Sequence, residues 1–554
     1  MQGSATTAAA AETAQTARST IAGASRPAWR RAVALCGCAA AGALALGAQS
    51  ASAVTVFNGN LVVSTLNYAG SAGLITVGQD LLGCAKAAAT SAANCQANAF
   101  KAIANGAYPN VFENNTVDGS FGVTAPYTLQ VLNVQGKSAS VTNTIAVPDS
   151  AFVGSFSSKS EGALNLSTNG RYITFMGYAS TINQLDTSNS NTPGVIDPTN
   201  ETYANATARA IAQVGANGQF TFTDVNSYSG NNGRAAILDS ATGQYLTVGN
   251  AGNGAAKTQS AGVIGSTGVQ LVTPGAAGTT PGTSASTKVG TFSVTQYGYA
   301  ADKAGKDDNY RGETIFNNTL YVTKGSGSNG IDTVYQVGTA GSLPTAATAA
   351  STPITVLPGF STALAANNGD AGFYPFGLFF ANANTLYVAD EGDGTMDDPG
   401  TDPNAGLEKW SLVNGVWKLD YTLQNGLGLG VSYGVDGYPT NLDPETDGLR
   451  NITGFVNKNG TVTIYGVTST VSDAGDQGAD PNRLVEITDV LGDTSLPANE
   501  SFTVLETAVY GQVLRGVTLP PVPEPSTWSM MLMGFGGLGA LLRSSRRRQG
   551  ALSA

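Results

Sequence analysis

The sequence predicts an all-β protein whose exported part, residues 54–520, folds as a six- or seven-bladed β-propeller. Two observations predict this fold. A strand–turn–strand unit recurs along the chain, and the composition is polar, glycine-rich and weakly acidic, with 70 glycines in 554 residues, 12% charged residues and a net charge of −11. Such a composition is typical of secreted β-proteins. An N-terminal signal peptide and one C-terminal transmembrane helix are predicted to flank the propeller.

The first 53 residues read as a leader and signal peptide. Arg30 and Arg31 precede an apolar stretch at 32–47, and Ala51-Ser52-Ala53 offers a cleavage site of the A-x-A kind. A basic start, an apolar centre and a small-residue cleavage site define a secretory signal. The residues after the two arginines favour general secretion over a twin-arginine route.

Five hairpins carry the repeat. In each, a short apolar strand leads through a turn rich in asparagine and glycine to a second strand with an aromatic or branched centre. The hairpins occupy residues 161–178, 234–249, 311–323, 376–390 and 450–466. Asn-Gly and Thr-Gly turns supply the positive φ that tight hairpins need.

The spacing of the hairpins predicts the number of blades. Their central residues are separated by 73, 76, 66 and 77 positions. These residues are Tyr172, Tyr245, Tyr321, Tyr387 and Ile464. Further strand candidates between them complete a four-stranded unit, which is the pattern of a propeller blade. The exported length then accommodates six or seven blades, with 513–518 as a final strand that closes the ring. A β-sandwich array and a parallel β-helix are the alternatives, and the regular return of hairpins favours the ring.

Two segments interrupt the repeat. Residues 81–107 are alanine-rich and predict one or two short helices inserted into an early blade, whereas 258–286, rich in Gly, Thr, Ala and Ser, predicts a mobile surface loop. Cys84 and Cys95 are the two cysteines left after removal of the signal peptide. In an oxidising compartment, a local disulfide between them is the default expectation.

Charged residues near the start of the innermost strands form the first candidate site. Alignment of the hairpins places Glu161, Arg234, Arg311, Arg450 and Arg515 there. These positions meet at one mouth of the central channel of a propeller. Guanidinium groups that converge there predict a site that grips a carboxylate or a phosphate. Alternatively, each arginine pairs with a neighbouring loop aspartate and locks adjacent blades.

An acidic loop is the second candidate site. Asp390, Asp393, Asp397 and Asp398 crowd a segment rich in glycine and proline. Hard oxygen ligands at short spacing suit Ca²⁺, although the pattern departs from the EF-hand. The alternative is a solvated acidic turn.

Composition excludes several classes of function. The chain contains no histidine, which excludes Ser-His-Asp triads, histidine–metal sites and histidine general bases. The net negative charge does not indicate the basic surface that nucleic-acid binding requires. No catalytic residues stand out, so the sequence leans against an enzyme. A Ca²⁺-dependent hydrolase of the phytase or lactonase type is the alternative.

The C-terminal segment, 521–554, combines two prolines that cannot continue a helix from upstream, an apolar run and a basic end. Pro523-Glu524-Pro525 precedes a charge-free run at 526–542, and the chain then becomes basic. As a helix, the run would span about 25 Å at about 1.5 Å per residue, near the lower limit for crossing a bilayer. The arginines of the basic tail include Arg546, Arg547 and Arg548. Such a cluster holds its end of the helix on the cytoplasmic side.

This layout resembles the PEP-CTERM sorting signal of Gram-negative bacteria, over about the last thirty residues. The resemblance implies an exosortase-type processing enzyme as a partner, an inner-membrane intermediate and delivery to the cell surface, outer envelope or extracellular matrix. It also implies an association with exopolysaccharide. An ordinary C-terminal membrane anchor is the alternative. The sequence thus predicts a surface-sorted envelope or matrix protein whose propeller is a binding or structural module.

Overall fold

Six four-stranded antiparallel sheets surround a central axis in the computed structural model of this protein. All described residues belong to one unit, 53–554, and the other unit, 1–52, lies outside them. The structure describes residues 56–68, 80–84, 97, 99–104, 112–114 and 123–523, with gaps in the last range at 156–159, 185–186, 198–205, 253–259, 276–283, 302–304, 326–328, 366–371, 397–401, 438–439, 441–442 and 473–479.

Blade 1 contains an insertion between two of its strands, and blade 2 follows it. Blade 1 begins with β1 (Leu61–Asn67), and its insertion holds β2 (Asp80–Cys84), β3 (Ala99–Ala104), β4 (Phe112–Asn114) and β5 (Thr124–Ala125). The blade continues with β6 (Tyr127–Gln135) and β7 (Ser138–Ala146), and β8 (Gly154–Ser155) then pairs with β5. Blade 2 comprises β9 (Asn165–Leu166), β10 (Tyr172–Tyr178), β11 (Arg209–Gly215) and β12 (Phe220–Val225).

The other four blades follow in chain order. Blade 3 comprises β13 (Gly233–Asp239), β14 (Gln244–Gly249), β15 (Gly268–Val272) and β16 (Ser286–Lys288), with helix α1 (Ala261–Gly265) before β15. Blade 4 comprises β17 (Glu313–Phe316), β18 (Thr319–Lys324), β19 (Thr333–Val337) and β20 (Ile354–Val356). Blade 5 comprises β21 (Pro375–Asn382), β22 (Thr385–Asp390), β23 (Gly406–Val413) and β24 (Val416–Leu423). Blade 6 comprises β25 (Glu445–Val456), β26 (Thr461–Val471), β27 (Arg483–Val490) and β28 (Thr503–Thr507). Short 3₁₀ turns lie at Thr187–Asn189, Val294–Tyr297 and Ala349–Ser351.

The last strand closes the ring. β29 (Gln512–Thr518) is the innermost strand of blade 1 and pairs antiparallel with β1, so that Val62 faces Thr518 and Leu66 faces Val513. Strands from the two ends of the propeller therefore share one sheet, which removes the open edge that an incomplete ring would expose. The predicted propeller is confirmed, and it has six blades rather than seven.

Apolar side chains between adjacent sheets hold the blades together. Phe152 and Phe175 meet edge to face with their ring centroids 5.1 Å apart, and Tyr127 packs on both. All three rings are fully buried between blades 1 and 2. Because strands in the interior of the ring are covered on both faces, they read as nearly continuous apolar runs rather than strict alternation.

The two faces of the ring differ. On one, which we call the turn face, most connections within a blade are two to five residues long, such as 136–137, 317–318 and 457–460. Asn317 and Asn318 both adopt the positive φ expected of a tight hairpin. On the opposite face, which we call the loop face, the connections are long, such as 179–208 and 391–405. The innermost strands begin at the loop face, so their first residues surround its opening.

The mobile loop predicted at 258–286 is wrong for the residues that the structure describes there, whereas the helices predicted within 81–107 fall largely on residues outside the described ranges. Within 81–107 the structure describes 81–84 and 99–104 as parts of strands β2 and β3 and residue 97 as helical, so the one or two short helices stay a prediction. Within 258–286, α1 is capped by Ser260, and β15 is a fully buried strand of blade 3. Val263 and the whole of β15 are buried here, since tertiary contacts override local composition.

Several predicted features lie outside the described residues. These are the signal peptide, the side chains of Cys84 and Cys95, and the helix at 526–542 with its basic tail. Over the part of the chain that the structure describes, no helix combines the length and apolar character required to cross a membrane.

Candidate functional site: a charged ring at the loop face

Each of the six blades contributes one charged side chain near the loop-face end of the central channel. We call this set the charged ring. Its members are Arg515 of blade 1, Glu161 of blade 2, Arg234 of blade 3, Arg311 of blade 4, Glu391 of blade 5 and Arg450 of blade 6. Five of the six were predicted from the sequence, and the structure brings them together as the aligned hairpins implied.

Glu391 links two blades to its own. Arg450 donates from Nε to Oε2 of Glu391 at 3.0 Å, and Nε of Arg311 lies 3.7 Å from Oε1. The backbone of Glu391 is held on both sides, since its N–H donates to Tyr374 and its carbonyl accepts from Ser469. Charge-assisted contacts of this kind are about twice as strong as neutral hydrogen bonds. Blades 4, 5 and 6 are therefore joined through one carboxylate.

Arg311 spans the opening of the channel. Its Nη1 donates to Oγ of Ser160 at 2.6 Å. Ser160 precedes the innermost strand of blade 2, and blade 3 separates that blade from blade 4 along the ring. The guanidinium therefore connects two blades that are not neighbours, and it closes part of the opening.

Arg234 is buried and is held by neutral acceptors. Its Nη1 donates to the side-chain oxygen of Asn309 and, at 2.6 Å, to the carbonyl of Tyr310. Burial, reinforced by the positive charge of Arg311, lowers the pKa of Arg234 well below its usual value, although Glu391 opposes this. Nε of Arg234 is buried and has no hydrogen-bond partner among the described residues.

Glu161 and Arg515 complete the ring where blades 1 and 2 meet. The N–H of Ser155 donates to Glu161 at 2.6 Å, and Nη2 of Arg515 donates to the carbonyl of Ser155 at 3.3 Å. The charges of Glu161 and Arg515 both affect the pKa of the buried Tyr127. Burial and the Glu161 carboxylate raise the pKa of Tyr127, and Arg515 opposes the shift.

The ring carries a surplus of positive charge. Four arginines face two glutamates, and two further carboxyl groups near them, those of Asp447 and Glu313, resist ionisation. Burial and the neighbouring Glu391 raise the pKa of Asp447 to about 8, despite the attraction of Arg450. Burial also raises the pKa of Glu313 well above its usual value, and neither of its carboxyl oxygens has a hydrogen-bond partner among the described residues. An anion would compensate this surplus.

The charged ring is largely buried. The side chains of Arg450 and Glu391 are each 9% exposed, and that of Arg311 is 14% exposed. The alternative prediction, in which arginines lock adjacent blades, describes Arg311 and Arg450, although their partner is a glutamate and not an aspartate. Glu391 lies in the acidic loop, which the sequence pattern linked to Ca²⁺ and not to the charged ring.

The acidic loop uses its described carboxylates for its own backbone. Asp390 accepts hydrogen bonds from the N–H of Tyr374 at 2.6 Å and of Gly392 at 2.9 Å, and Asp393 accepts from the N–H of Thr395 at 2.8 Å. No group of three acidic or cysteine side chains within the described ranges is arranged to hold a metal. Asp397 and Asp398 lie outside the described residues. Calcium binding by this loop therefore stays a prediction, which metal analysis of the purified protein would test.

Comparison of the whole chain with known proteins gives only weak similarity. No curated protein sequence matches this chain. Among solved structures, a protein from Lactobacillus plantarum is 11% identical with a TM-score of 0.28, covering 70% of this chain and 81% of its own. The hemagglutinin-neuraminidase of parainfluenza virus 5 is 10% identical with a TM-score of 0.29, covering 73% and 85%. The endosialidase of phage phi92 is 10% identical with a TM-score of 0.27, covering 81% and 60%. Sequence identities and TM-scores this low carry no argument about ligand or chemistry.

The C-terminal segment gives a specific match. Residues 521–548 match the family model of the PEP-CTERM protein-sorting motif. These residues include the Pro-Glu-Pro triplet, the charge-free run and the arginine cluster. The motif is the recognition signal of exosortase, and it implies export and sorting to the cell envelope. This chain is therefore an exported protein that carries a PEP-CTERM sorting motif behind a six-bladed β-propeller.

Proposed function

We propose that this protein is a binding module of the cell surface or extracellular matrix, and that its charged ring holds a carboxylate group of an acidic polysaccharide. The surplus of positive charge in the ring is the observation that carries the proposal. A guanidinium matches a carboxylate in shape and offers two parallel hydrogen bonds. The loop face that surrounds the ring supplies long connections, which are the usual carriers of binding residues on a rigid scaffold.

The contacts of the ring indicate how a ligand would enter. Arg311 is held to blade 2 by a neutral hydroxyl, that of Ser160. A hydrogen bond to a neutral group is weaker than one to a carboxylate, so an incoming carboxylate can replace Ser160 while the contacts of Glu391 remain. The buried Nε of Arg234 then gains an acceptor that it lacks among the described residues.

In this proposal, the C-terminal motif directs the protein through the inner membrane to the cell surface. The run at 526–542 spans the inner membrane as a helix, the arginines at 546–548 stay in the cytoplasm, and an exosortase-type enzyme then releases the protein towards the surface. Support comes from the order of triplet, apolar run and basic cluster and from the match to the sorting motif.

Calorimetric titration of the full-length protein in detergent tests the binding proposal. We expect oligogalacturonate to bind and the uncharged galactose oligomer of equal length not to bind. Arg234→Met removes a ring guanidinium and should weaken oligogalacturonate binding at least about tenfold, or about 1.4 kcal/mol. Arg171→Met removes an arginine from the hairpin of blade 2 at the turn face and should leave the affinity unchanged.

Arg234→Lys separates binding from folding, because it keeps the charge but loses the paired hydrogen bonds. If the Met and Lys variants melt like the parent and bind as tightly, the charged ring is not the ligand site. Equal affinity for the acidic and neutral oligomers would also contradict the proposal.

A further inference from the structure

Both ends of the propeller chain are held at the turn face, beside blade 2. The N–H of Val56 donates to the carbonyl of Ala216 at 3.2 Å, and the N–H of Val522 donates to the carbonyl of Gly170 at 2.9 Å. Ala216 follows β11 and Gly170 lies between β9 and β10, so both belong to turns on this face. The chain therefore enters and leaves the propeller on the face opposite the charged ring.

The position of Val522 limits how far the propeller can lie from a membrane. The charge-free run begins at Ser526, four residues after Val522. A fully extended chain covers at most about 3.6 Å per residue, so these four residues reach about 14 Å. If the run lies in a bilayer, the turn face is consequently held close to the lipid surface.

The turn face combines exposed apolar side chains with exposed lysines. Its turns in blades 5 and 6 expose apolar side chains of Val413, Val416, Phe455, Val456, Val490 and Leu496. Exposed lysines lie at or beside turns of the same face, at Lys137, Lys418 and Lys458. Apolar side chains flanked by basic ones favour the interface of a membrane that contains anionic lipid.

We infer that the turn face rests on an anionic lipid bilayer while the C-terminal helix holds the protein in the membrane, and that the charged ring points away from the membrane. This inference rests on the membrane helix of the proposed function. It assigns the turn face to lipid and leaves the loop face open to ligand before the protein is processed.

Fluorescence quenching in nanodiscs tests this orientation. The full-length protein is placed in discs of phosphatidylcholine and phosphatidylglycerol that contain a headgroup-labelled nitroxide lipid. A fluorophore is attached through Thr494→Cys on the turn face or through Met396→Cys on the loop face, both of which are exposed positions. Protein without an added cysteine measures labelling of the native ones. We expect quenching several-fold stronger at position 494 than at position 396.

The outcomes separate the orientation from the anchor. Equal quenching at the two positions, or stronger quenching at position 396, overturns the orientation even if the protein floats with liposomes. Failure to float with liposomes overturns the membrane helix itself, and the orientation with it. Stronger quenching at position 494 that diminishes in discs of phosphatidylcholine alone supports the anionic lipid surface as the partner.

Discussion

A fully buried ion pair joins blades 5 and 6. Nζ of Lys409 on β23 lies 2.8 Å from Oδ2 of Asp489 on β27, and neither side chain is exposed. Tyr421 donates to the other carboxylate oxygen at 2.6 Å, and Tyr387 also donates to Asp489. Lys409 further donates to the carbonyl of Val490. Each charge is thus both paired and hydrogen-bonded, as burial in a low-dielectric interior requires.

Loss of one partner should destabilise the propeller. Lys409→Met leaves the Asp489 carboxylate without its counter-charge, and we expect a loss of about 3–5 kcal/mol in the free energy of unfolding. Chemical denaturation monitored by tryptophan fluorescence measures it. Lys418→Met, an exposed lysine on the next strand of the same blade, is the matched control and should change stability by less than about 0.5 kcal/mol. Equal midpoints for the two variants would contradict this role.

At the scale of elements, closure of the ring depends on how closely β29 approaches blade 2. Gly516 in β29 leaves no room for a side chain. A Cβ at this position would lie 2.4 Å from the backbone nitrogen of Leu164 and 2.7 Å from the carbonyl oxygen of Gly162. Both are backbone atoms, so neither can move away as the end of a flexible side chain could.

We therefore expect Gly516→Ala to destabilise the closed ring by about 1–3 kcal/mol, the usual cost of overpacking. Differential scanning calorimetry measures the shift in melting temperature. Gly434→Ala is the control, because a Cβ there meets no atom within 4 Å. A melting temperature unchanged by Gly516→Ala, or lowered as much by Gly434→Ala, would mean that this approach does not limit closure.

The elements also show where local composition misleads. Residues 268–272 lie in the segment whose composition predicts a mobile surface loop. They form a buried strand because β14 and β16 pair on either side of it. Hairpins with asparagine and glycine turns were predicted well, since positive φ at those turns is a local requirement. Strand pairing across long connections has no such local signal.

Across the whole molecule, burial raises the pKa of several carboxyl groups. The pKa of Asp224 is raised to about 6 and that of Glu500 to about 7. The pKa values of Glu408 and Asp447 are both raised to about 8. Between about pH 4 and pH 8, these groups hold protons in the folded state that the unfolded chain has lost. Stability therefore falls as pH rises through this window.

We expect the melting temperature to be higher at pH 5 than at pH 8.5, which calorimetry across this range measures. Asp224 and Glu500 are only partly buried, so solvent weakens their share. Asp447→Asn keeps the shape of the side chain but cannot ionise, and it should reduce the decline towards pH 8.5. A parent protein that becomes more stable between pH 5 and pH 8.5 would contradict this account.

The sequence by itself determined the all-β class, the hairpins, the C-terminal sorting motif and five of the six members of the charged ring. These depend on local rules: turn chemistry, hydrophobic pattern and position relative to a strand. The sequence also predicted 513–518 as the strand that closes the ring, whereas only the tertiary structure decided the number of blades and the burial of the charged ring. Glu391, Arg311 and Ser160 meet although 231 positions separate the first residue from the last along the chain. Such contacts arise because ring closure brings distant strands to one axis, and no local pattern encodes that distance.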